Sequence, residues 1–243
     1  IYTDQGFMMM PFAMPMPMQT VGPFPEPQVT QQIFGAVKNA IYVTGNRDTS
    51  ILNNAIEARH NFFGPAIARM GMYPPMMATT YTAAGQHGIY ANNETGLKIE
   101  GNRISASGGS NHTGAMQDGI FVENSRRAFI GGNSFFASFG ALAAGRHGIH
   151  TVNARGVDVV GNSFHAVYSG IAAGENGIHI ADSKNADIVS NRFFSEDYGL
   201  ATGRDGIYLN NSAGSLIAYN NVSRAGKQPL SMARSAGTGT VFG

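Results

Sequence analysis

The sequence predicts an all-β protein in which short parallel strands wind into stacked coils, and three observations support this prediction. First, a Gly-Ile pair followed by an aromatic residue or histidine recurs at intervals of 29 to 31 residues, at Gly88, Gly119, Gly148, Gly177 and Gly206. Second, an asparagine follows each of these glycines after fourteen residues. Third, apolar and polar residues alternate between the two landmarks, as they do in strands with one buried face. A constant period of this length is typical of a solenoid.

The first strand of each coil begins at the repeat glycine. Alternation places the isoleucine and the residue two positions later on one face, which we predict to be buried. The isoleucine column consists of Ile89, Ile120, Ile149, Ile178 and Ile207, and the second column consists of Ala91, Val122, Thr151, Ile180 and Leu209. These columns predict a parallel sheet whose strands come from successive coils.

A second strand and a short third strand complete each predicted coil. The inward columns of the second strand are Leu97, Ala128, Val157, Ala186 and Ser215, then Ile99, Ile130, Val159, Ile188 and Ile217, then Ile104, Phe135, Phe164, Phe193 and Val222. The third strand begins at Ala141, Gly170 and Gly199. The sequence therefore predicts about 29 residues and three strands per coil, with a triangular cross-section.

Two polar columns mark bends between the strands. One contains Asn102, Asn133, Asn162, Asn191 and Asn220, and the other contains Asn93, Asn124, Asn153, Asp182 and Asn211. Stacked amides hydrogen-bond from coil to coil, and Asn and Asp tolerate a left-handed backbone. We predict that both columns have a structural role.

This pattern resembles the right-handed parallel β-helix superfamily, which includes pectate lyases, polygalacturonases, phage tailspikes and repeats of secreted bacterial proteins. The resemblance covers residues 85–223 clearly and 36–84 loosely. It implies a right-handed helix, as parallel crossovers almost always are. It implies no single activity, because this scaffold carries many. The catalytic motifs of polygalacturonases, pectate lyases and mannuronan epimerases are missing, and Arg146-His147-Gly148 is a faint echo of the polygalacturonase His-Gly motif.

We divide the chain into four segments of one solenoid domain. Residues 1–28 form an extended Met/Pro-rich arm, 29–84 irregular N-terminal coils or a cap, 85–223 the regular β-helix, and 224–243 a C-terminal cap or tail. Within the second segment, Ile41 echoes the first strand and His60-Asn61-Phe62-Phe63 echoes the asparagine step. We interpret Gly64 to Ala84 as an irregular excursion. Two extra residues in the coil of Gly88 are expected between Ser105 and Gln117.

The N-terminal arm is too rich in proline for helix or central strand, and too apolar for a solvated linker. Its candidate contact residues are Met8, Met9, Met10, Phe12, Met14, Met16 and Met18. Three interpretations remain open. The arm packs along its own solenoid or caps the first coil, it fills a groove on a neighbouring subunit, or it is the remnant of a signal peptide.

Composition narrows the classes of function. The net charge is +1 and basic residues form no large cluster, so a nucleic-acid partner is not expected. Cysteine is absent, which excludes disulfides and cysteine catalysis. No apolar run is long enough to span a bilayer. We expect neither a cofactor nor a metal, since no motif has fixed ligand spacing.

The column after each repeat isoleucine contains the candidate ligand or interface residues, which are Tyr90, Phe121, His150, His179 and Tyr208. Alternation predicts that these rings form an exposed stripe. Three interpretations compete: a contact between subunits, a surface on which sugar rings stack, and an acid/base or metal site. The weak catalytic candidates are Asp118, His147, His150, His179 and Asp205, because His and carboxylate on adjacent coils can approach each other.

A short basic column contains Arg126, Arg155 and Lys184 at a turn, and we interpret it as a solvated turn, with uronate binding as an alternative. Two hypotheses follow for the whole chain. The first is an extracellular or cell- or virion-surface protein that self-associates as a homo-oligomer, such as a filament, spike or adhesin subunit. The alternative is a polysaccharide-binding or polysaccharide-cleaving β-helix, a lyase or hydrolase.

Overall fold

The computed structural model describes residues 31–36, 38–59, 79–108, 111–223, 225–233 and 239–241. Within these ranges the chain forms a parallel β-solenoid without helices. The described residues accordingly contain no helix long and apolar enough to cross a membrane. The predicted arm, with its candidate methionine contacts, lies outside the described residues.

Four parallel sheets, which we name A to D, run along the solenoid. Among the described residues, sheet A contains β1 (Gln31–Ala36), β5 (Thr79–Ala84), β9 (His112–Ala115), β13 (Leu142–Ala144), β17 (Ile171–Ala173) and β21 (Leu200–Thr202). Sheet B contains β2 (Ile41–Thr44), β6 (Ile89–Asn92), β10 (Ile120–Glu123), β14 (Ile149–Val152), β18 (Ile178–Ala181), β22 (Ile207–Asn210) and β25 (Leu230–Ala233).

The other two sheets complete each coil. Sheet C contains β3 (Ser50–Leu52), β7 (Lys98–Glu100), β11 (Arg126–Gly131), β15 (Arg155–Val160), β19 (Lys184–Val189), β23 (Leu216–Ala218) and β26 (Gly239–Val241). Sheet D contains β4 (Ala55–Arg59), β8 (Arg103–Ser107), β12 (Ser134–Ser138), β16 (Ser163–Val167), β20 (Arg192–Ser195) and β24 (Asn221–Val222).

The strand count per coil differs from the prediction of three. The predicted second strand is two strands, because the chain bends at the asparagine that separates sheet C from sheet D. The period is confirmed: Ile120, Ile149, Ile178 and Ile207 pair in register at 29-residue intervals. Ile89 pairs with Ile120 across 31 residues, and the two extra residues fall between Ser107 and Thr113.

The main hydrophobic core runs along the solenoid and contains most residues of the predicted inward columns, and a small second cluster consists of Ala58, Ala106 and Ala141. Phe135, Phe164 and Phe193 stack inside with ring centroids 4.6 and 4.5 Å apart and planes within 3°. Each such aromatic pair adds about 1 kcal/mol beyond the burial of its area. The stack leaves no room beside the repeat glycines, since a Cβ on Gly148 would lie 2.2 Å from Phe164 Cε1.

The asparagine ladder at the bend between sheets C and D is buried and satisfied. Asn133 Oδ1 accepts from the backbone N–H and the side-chain amide of Asn102, at 2.9 and 3.0 Å. Its Nδ2 donates to Ile99 O and to Asn162 Oδ1. The second polar column adopts positive φ, for example 51° at Asn124, as predicted. Both columns are structural.

The N-terminal segment is more regular than expected. Strands β2, β3 and β4 form a coil that pairs in register with the next coil across 48 residues. The asparagine step of this coil is Asn54, whose amide donates to Asn102 Oδ1, so the assignment of that step to His60–Phe63 is wrong. Thr79–Ala84 is a strand of sheet A, which shortens the predicted excursion.

The C-terminal segment also continues the solenoid. Leu230 pairs with Ile207, and Gly239 pairs with Leu216, in both cases after 23 residues. The expected cap or tail therefore contains strands of sheets B and C within its described residues.

Asn133→Ala is expected to lower the free energy of unfolding by about 3 kcal/mol, because it leaves several buried polar groups without partners. Urea unfolding followed by circular dichroism measures this. Asn124→Gly is the control: this asparagine lies in the exposed ladder with φ 51°, which glycine also adopts, so a change within about 0.5 kcal/mol is expected. Equal effects of the two substitutions would contradict the structural weight given to the buried ladder.

Candidate functional site

The outer face of sheet B carries a column of rings, which we call the ring column. It consists of Tyr42, Tyr90, Phe121, His150, His179 and Tyr208, which pair in register on successive coils. The expected exposed stripe is only partly correct. Tyr42 is 57% exposed, but His150 is only 9% exposed and the other four rings are half-buried.

The rings are half-buried because they cover one another. Neighbouring centroids along the column lie 4.5 to 5.6 Å apart. His150 and His179 are nearly parallel, with an interplanar angle of 7°. The faces of these rings are therefore largely covered by other rings. This geometry does not favour the interpretation in which sugar rings stack on the faces.

Beside the ring column lies a second column, formed by the residue two positions before the first isoleucine of each sheet B strand, which we call the acceptor ladder. It consists of Asn39, His87, Asp118, His147, Asn176 and Asp205. Several members accept a hydrogen bond from the backbone N–H of the ladder residue on the next coil. Asn39 Oδ1 accepts from His87, Asp118 Oδ1 from His147, His147 Nδ1 from Asn176, and Asn176 Oδ1 from Asp205, at 3.3 to 3.4 Å. At four positions of the ladder the acceptor atom is thus supplied by Asn, Asp or His.

Asp118 joins the ladder to the ring column. Its carboxylate is buried at 1% exposure. His150 Nδ1 lies 3.4 Å from Asp118 Oδ2, and His87 Nδ1 lies 3.2 Å from the same oxygen. Burial alone would raise the pKa of Asp118, but contacts with His150 and His87 outweigh it and hold that pKa well below its usual range. Asp118 is therefore an ionised acceptor, and His150 carries its proton on Nδ1.

The hydrogen bonds also determine the tautomers of the other two histidines. A backbone N–H can only donate, so His147 Nδ1 accepts from Asn176 and the neutral ring carries its proton on Nε2. His147 Nε2 lies 3.2 Å from His179 Nδ1, which must then accept. His179 therefore carries its proton on Nε2. That atom is buried and lacks a hydrogen-bond partner among the described residues.

Two adjacent imidazoles thus have complementary roles. His150 is held by Asp118 through Nδ1, which leaves Nε2 as the atom that can accept a proton. His179 has an N–H on Nε2 that needs an acceptor. Their ring centroids are 4.5 Å apart. Such a pair of an oriented base and a neighbouring donor is the arrangement used in general acid–base catalysis.

A metal site is the competing interpretation for these histidines. One ring nitrogen from each of His147, His150 and His179 lies within 4.8 Å of the others. A neutral His147 that bound a metal through Nε2 would carry its proton on Nδ1, where it would face the N–H of Asn176. Two opposed donors are unfavourable, so the ladder favours a hydrogen-bonded acid–base cluster over metal coordination.

The structure separates Asp205 from the other catalytic candidates. Asp205 is a buried member of the ladder whose backbone N–H donates to Asn176, and it forms no ion pair with the histidines among the described residues. Tyr90 is also engaged differently, since its hydroxyl donates to Glu123. Burial and this carboxylate raise the pKa of Tyr90 to about 12. The cluster therefore contains Asp118, His147, His150 and His179.

Sequence analysis missed the column one residue before the ladder, where Arg146, Glu175 and Arg204 pair through their backbones. Arg146 Nε lies 3.8 Å from Glu175 Oε1, and Glu175 Oε2 lies 3.9 Å from His147 Nε2. The positive charges of Arg146 and Arg204 act on His179 from this column. Their 29-residue spacing was the signal that could have identified them.

A second set of stacked rings on sheet D was also missed. Phe136, His165 and Phe194 follow the buried asparagines by three residues and pair in register. Arg103 lies over Phe136, and Arg192 lies over Phe194, with guanidinium carbons 5.4 and 4.2 Å from the ring centroids. His165 Nε2 lies 4.0 Å from Oε1 of the exposed Glu196, whereas His150 faces a buried carboxylate, so this face provides controls for the sheet B site.

The family model described as "Right handed beta helix region" matches residues 32–205, which is well over half of the chain. The chain belongs to this right-handed β-helix family. No curated protein matches it in sequence.

Solved structures resemble the chain in fold. The periplasmic alginate epimerase AlgG is 16% identical, with a TM-score of 0.43, and the match covers 88% of this chain and 51% of the epimerase. The Dettilon tailspike protein gp208 is 14% identical, with a TM-score of 0.45, and the match covers 84% of this chain and 42% of the tailspike. The chain thus spans about half the length of these structures or less, and the likeness concerns the fold alone.

The buried histidines make stability depend on pH. Burial lowers the pKa of His147 to about 3 and that of His179 to about 4, whereas an unfolded histidine titrates near 6.5. Below pH 6.5 the unfolded chain binds protons that the folded chain does not, so stability falls as pH decreases toward 4. The folded pKa of Asp118 lies below its ordinary value of 3.8, so its stabilising effect is lost only at lower pH.

His147→Asn is expected to weaken this pH dependence by on the order of 2 kcal/mol between pH 7 and pH 4. Asparagine keeps the ladder acceptor, as at Asn39 and Asn176, but does not titrate. Urea unfolding at several pH values measures the effect. An unchanged loss of stability in the variant would show that His147 is not buried as a neutral ring.

Proposed function

We propose that this chain binds a linear polysaccharide along sheet B and transfers protons on it through His150 and His179. The observation that carries the proposal is the oriented pair itself: His150 Nδ1 faces buried Asp118, and the stacked His179 has a buried Nε2–H without a partner among the described residues. An unpartnered buried donor costs about 1 to 3 kcal/mol, and an acceptor oxygen of a ligand would remove that cost.

The shape of the face favours a polymer over a small molecule. The ring column extends over six coils, which are stacked about 4.8 Å apart. Small ligands usually bind in deep and mostly apolar pockets, whereas this face is long and repeats the same types of group. Polymers of this kind occur outside the cytoplasm, so the proposal keeps the expected extracellular or surface location.

Elimination is the reaction class that fits the residues best. In this step His150 Nε2 takes the proton next to a sugar carboxylate, a C=C bond forms, and the C–O bond to the neighbouring sugar breaks. His150 returns the proton to the departing oxygen, while His179 donates a hydrogen bond to it. Arg146 and Arg204, whose charges act on His179, would stabilise the negative charge that develops on the carboxylate.

Hydrolysis fits less well. A glycosidase needs a carboxylic acid whose pKa is raised so that it can protonate the leaving group. Asp118 has the opposite property, because its histidine contacts hold its pKa low. The carboxylate is suited to orienting His150, as in other carboxylate–imidazole pairs.

No contact among the described residues specifically supports self-association of the chain. That hypothesis rested on the regular coil length, the few insertions, the apolar arm and the lack of a recognised catalytic motif. The arm lies outside the described residues. A homo-oligomer remains a prediction.

The test is incubation of the chain with alginate, polygalacturonate and neutral dextran, with unsaturated chain ends measured by ultraviolet absorbance. His150→Gln is expected to lower kcat on the active polymer by at least about 100-fold while binding is retained. His165→Gln, in the ring set of sheet D, is the control and should leave the rate unchanged. Full activity of His150→Gln, or no product from any acidic polymer, would refute the proposed chemistry.

Asp118→Asn separates catalysis from folding. Asparagine keeps the ladder acceptor, so the variant should remain folded at pH 7, although it loses the stabilisation that contacts with His150 and His87 give the ionised carboxylate. The charge that orients His150 is lost, and kcat should fall by at least about tenfold. Calorimetry and the same product assay on one sample provide both values. An activity that falls only in proportion to the unfolded fraction would indicate that Asp118 acts only in the fold.

A further inference from the structure

A basic column lies at the corner between sheets B and C. The acceptor ladder precedes the sheet B strands in each coil, whereas this column follows them. The backbone register aligns Arg47, Thr95, Arg126, Arg155, Lys184 and Ala213 on successive coils. Four of these six positions are cationic, and none is acidic. All four cationic side chains are exposed.

Three of these cations line a shallow cleft. Arg126, Arg155 and Lys184 surround a volume of about 300 Å³ together with polar residues of the neighbouring bend. The cleft contains one carboxylate, Asp182, whose Oδ1 accepts from Asn211 Nδ2 at 2.7 Å. The lining charges therefore sum to +2, that is three cations less one anion.

This column of like charges lowers the stability of the fold when no ligand is bound. Like charges placed opposite each other on adjacent strands repel, and three successive coils repeat this arrangement. None of Arg126, Arg155 and Lys184 forms an ion pair among the described residues. Other cations of the solenoid do have partners, for example Arg103 with Glu57 at 3.2 Å. An uncompensated repulsion of this kind points to an anionic ligand that relieves it.

Arg127 gives independent support. Its backbone has φ 53°, in a column where the other coils place Asp48, Gly96, Gly156, Asn185 and Gly214, all with positive φ. A left-handed backbone is costly for a long side chain such as arginine, and glycine, asparagine and aspartate adopt it more readily. Arg127 is exposed and follows Arg126 directly in the chain, so it adds a further cation next to the cleft without lining it.

We propose that this cleft binds an acidic polysaccharide, with one carboxylate or sulfate group facing each coil. The guanidinium groups of Arg126 and Arg155 can each hold such a group through two hydrogen bonds. The lining includes no aromatic ring, which single-stranded nucleic acids use for stacking, so a polysaccharide is favoured over a nucleic acid. The inference rests on the proposed function and adds a second contact surface for its acidic polymer. It takes up uronate binding, the alternative to a solvated turn at this column.

The experiment compares binding of polygalacturonate, neutral dextran and a single-stranded oligonucleotide by isothermal titration calorimetry. The variant carries Arg126→Gln, Arg155→Gln and Lys184→Gln. Its affinity for polygalacturonate should fall about tenfold at low salt, which corresponds to the sum of three exposed ion pairs. The affinity of the unmodified chain should decrease as salt is added, because exposed charges are screened.

A charge-matched control carries Lys98→Gln, Arg103→Gln and Arg192→Gln, on the outer faces of sheets C and D. This control should bind polygalacturonate within about twofold of the unmodified chain, and circular dichroism verifies that both variants fold. Equal losses in the two variants, equal binding of dextran, or tighter binding of the oligonucleotide would overturn the inference.

The two proposals fail separately. If the basic-column variant binds normally while His150→Gln abolishes turnover, the cleft is not the binding site and the sheet B chemistry stands. If the basic-column variant loses binding while the unmodified chain forms no unsaturated ends, the cleft binds the polymer and the proposed reaction is wrong.

Arg127→Gly tests the strained position alone. It should weaken binding of polygalacturonate two- to threefold without lowering the melting temperature, because glycine adopts this backbone without strain. A lower melting temperature together with unchanged binding would show that Arg127 stabilises the fold rather than the complex.

Discussion

The structure depends on the register between coils. Each strand pairs with the equivalent strand of the next coil, so a residue at one position of the repeat lies about 4.8 Å from its counterpart along the axis. Inside, this stacks Phe135, Phe164 and Phe193. At one bend it stacks the buried asparagines, and on the outer face it stacks the rings and the acceptor ladder. Residues at one position of the repeat therefore form a column along the solenoid. A site can arise where the residue type in a column changes from one coil to the next while the strands stay in register.

The acceptor ladder shows how such a change can occur without damage to the fold. The ladder requires an acceptor for the backbone N–H of the next coil, and Asn39 and Asn176 meet this requirement with amides. Asp118 and His147 meet it as well, with a carboxylate oxygen and a ring nitrogen. The substitution of these two residue types into the ladder brings an ionised carboxylate and an imidazole to the outer face. The side chains of Asp118 and His147 thus accept hydrogen bonds that hold adjacent coils together and also belong to the candidate acid–base site.

The columns could be predicted from the sequence because register requires only periodicity. The inward isoleucines, the buried asparagines and the left-handed bends are all found where periodicity places them. The number of sheets could not be obtained in this way, since the bend at Asn102 interrupts a strand without changing its apolar character. The burial of His150 also could not be predicted from the sequence. Alternation shows which side of a strand a residue faces, but not which side chains pack against it. The tautomers of His147 and His179 depend on single hydrogen bonds between coils that are remote in sequence.

The repeat glycines connect the packing of the core to the geometry of the histidine site on sheet B. A Cβ on Gly148 would lie 2.2 Å from Phe164 Cε1 and 2.8 Å from Gly177 O, so this position must be glycine while the phenylalanine stack is present. Gly148 directly follows His147 and precedes Ile149 and His150, and it sets how closely the backbone of this turn approaches the core. The phenylalanine stack therefore determines where the ladder and the ring column lie relative to each other. Distances such as the 3.4 Å between His150 Nδ1 and Asp118 Oδ2 are maintained by close packing inside the solenoid, because a packed interior transmits displacements instead of absorbing them.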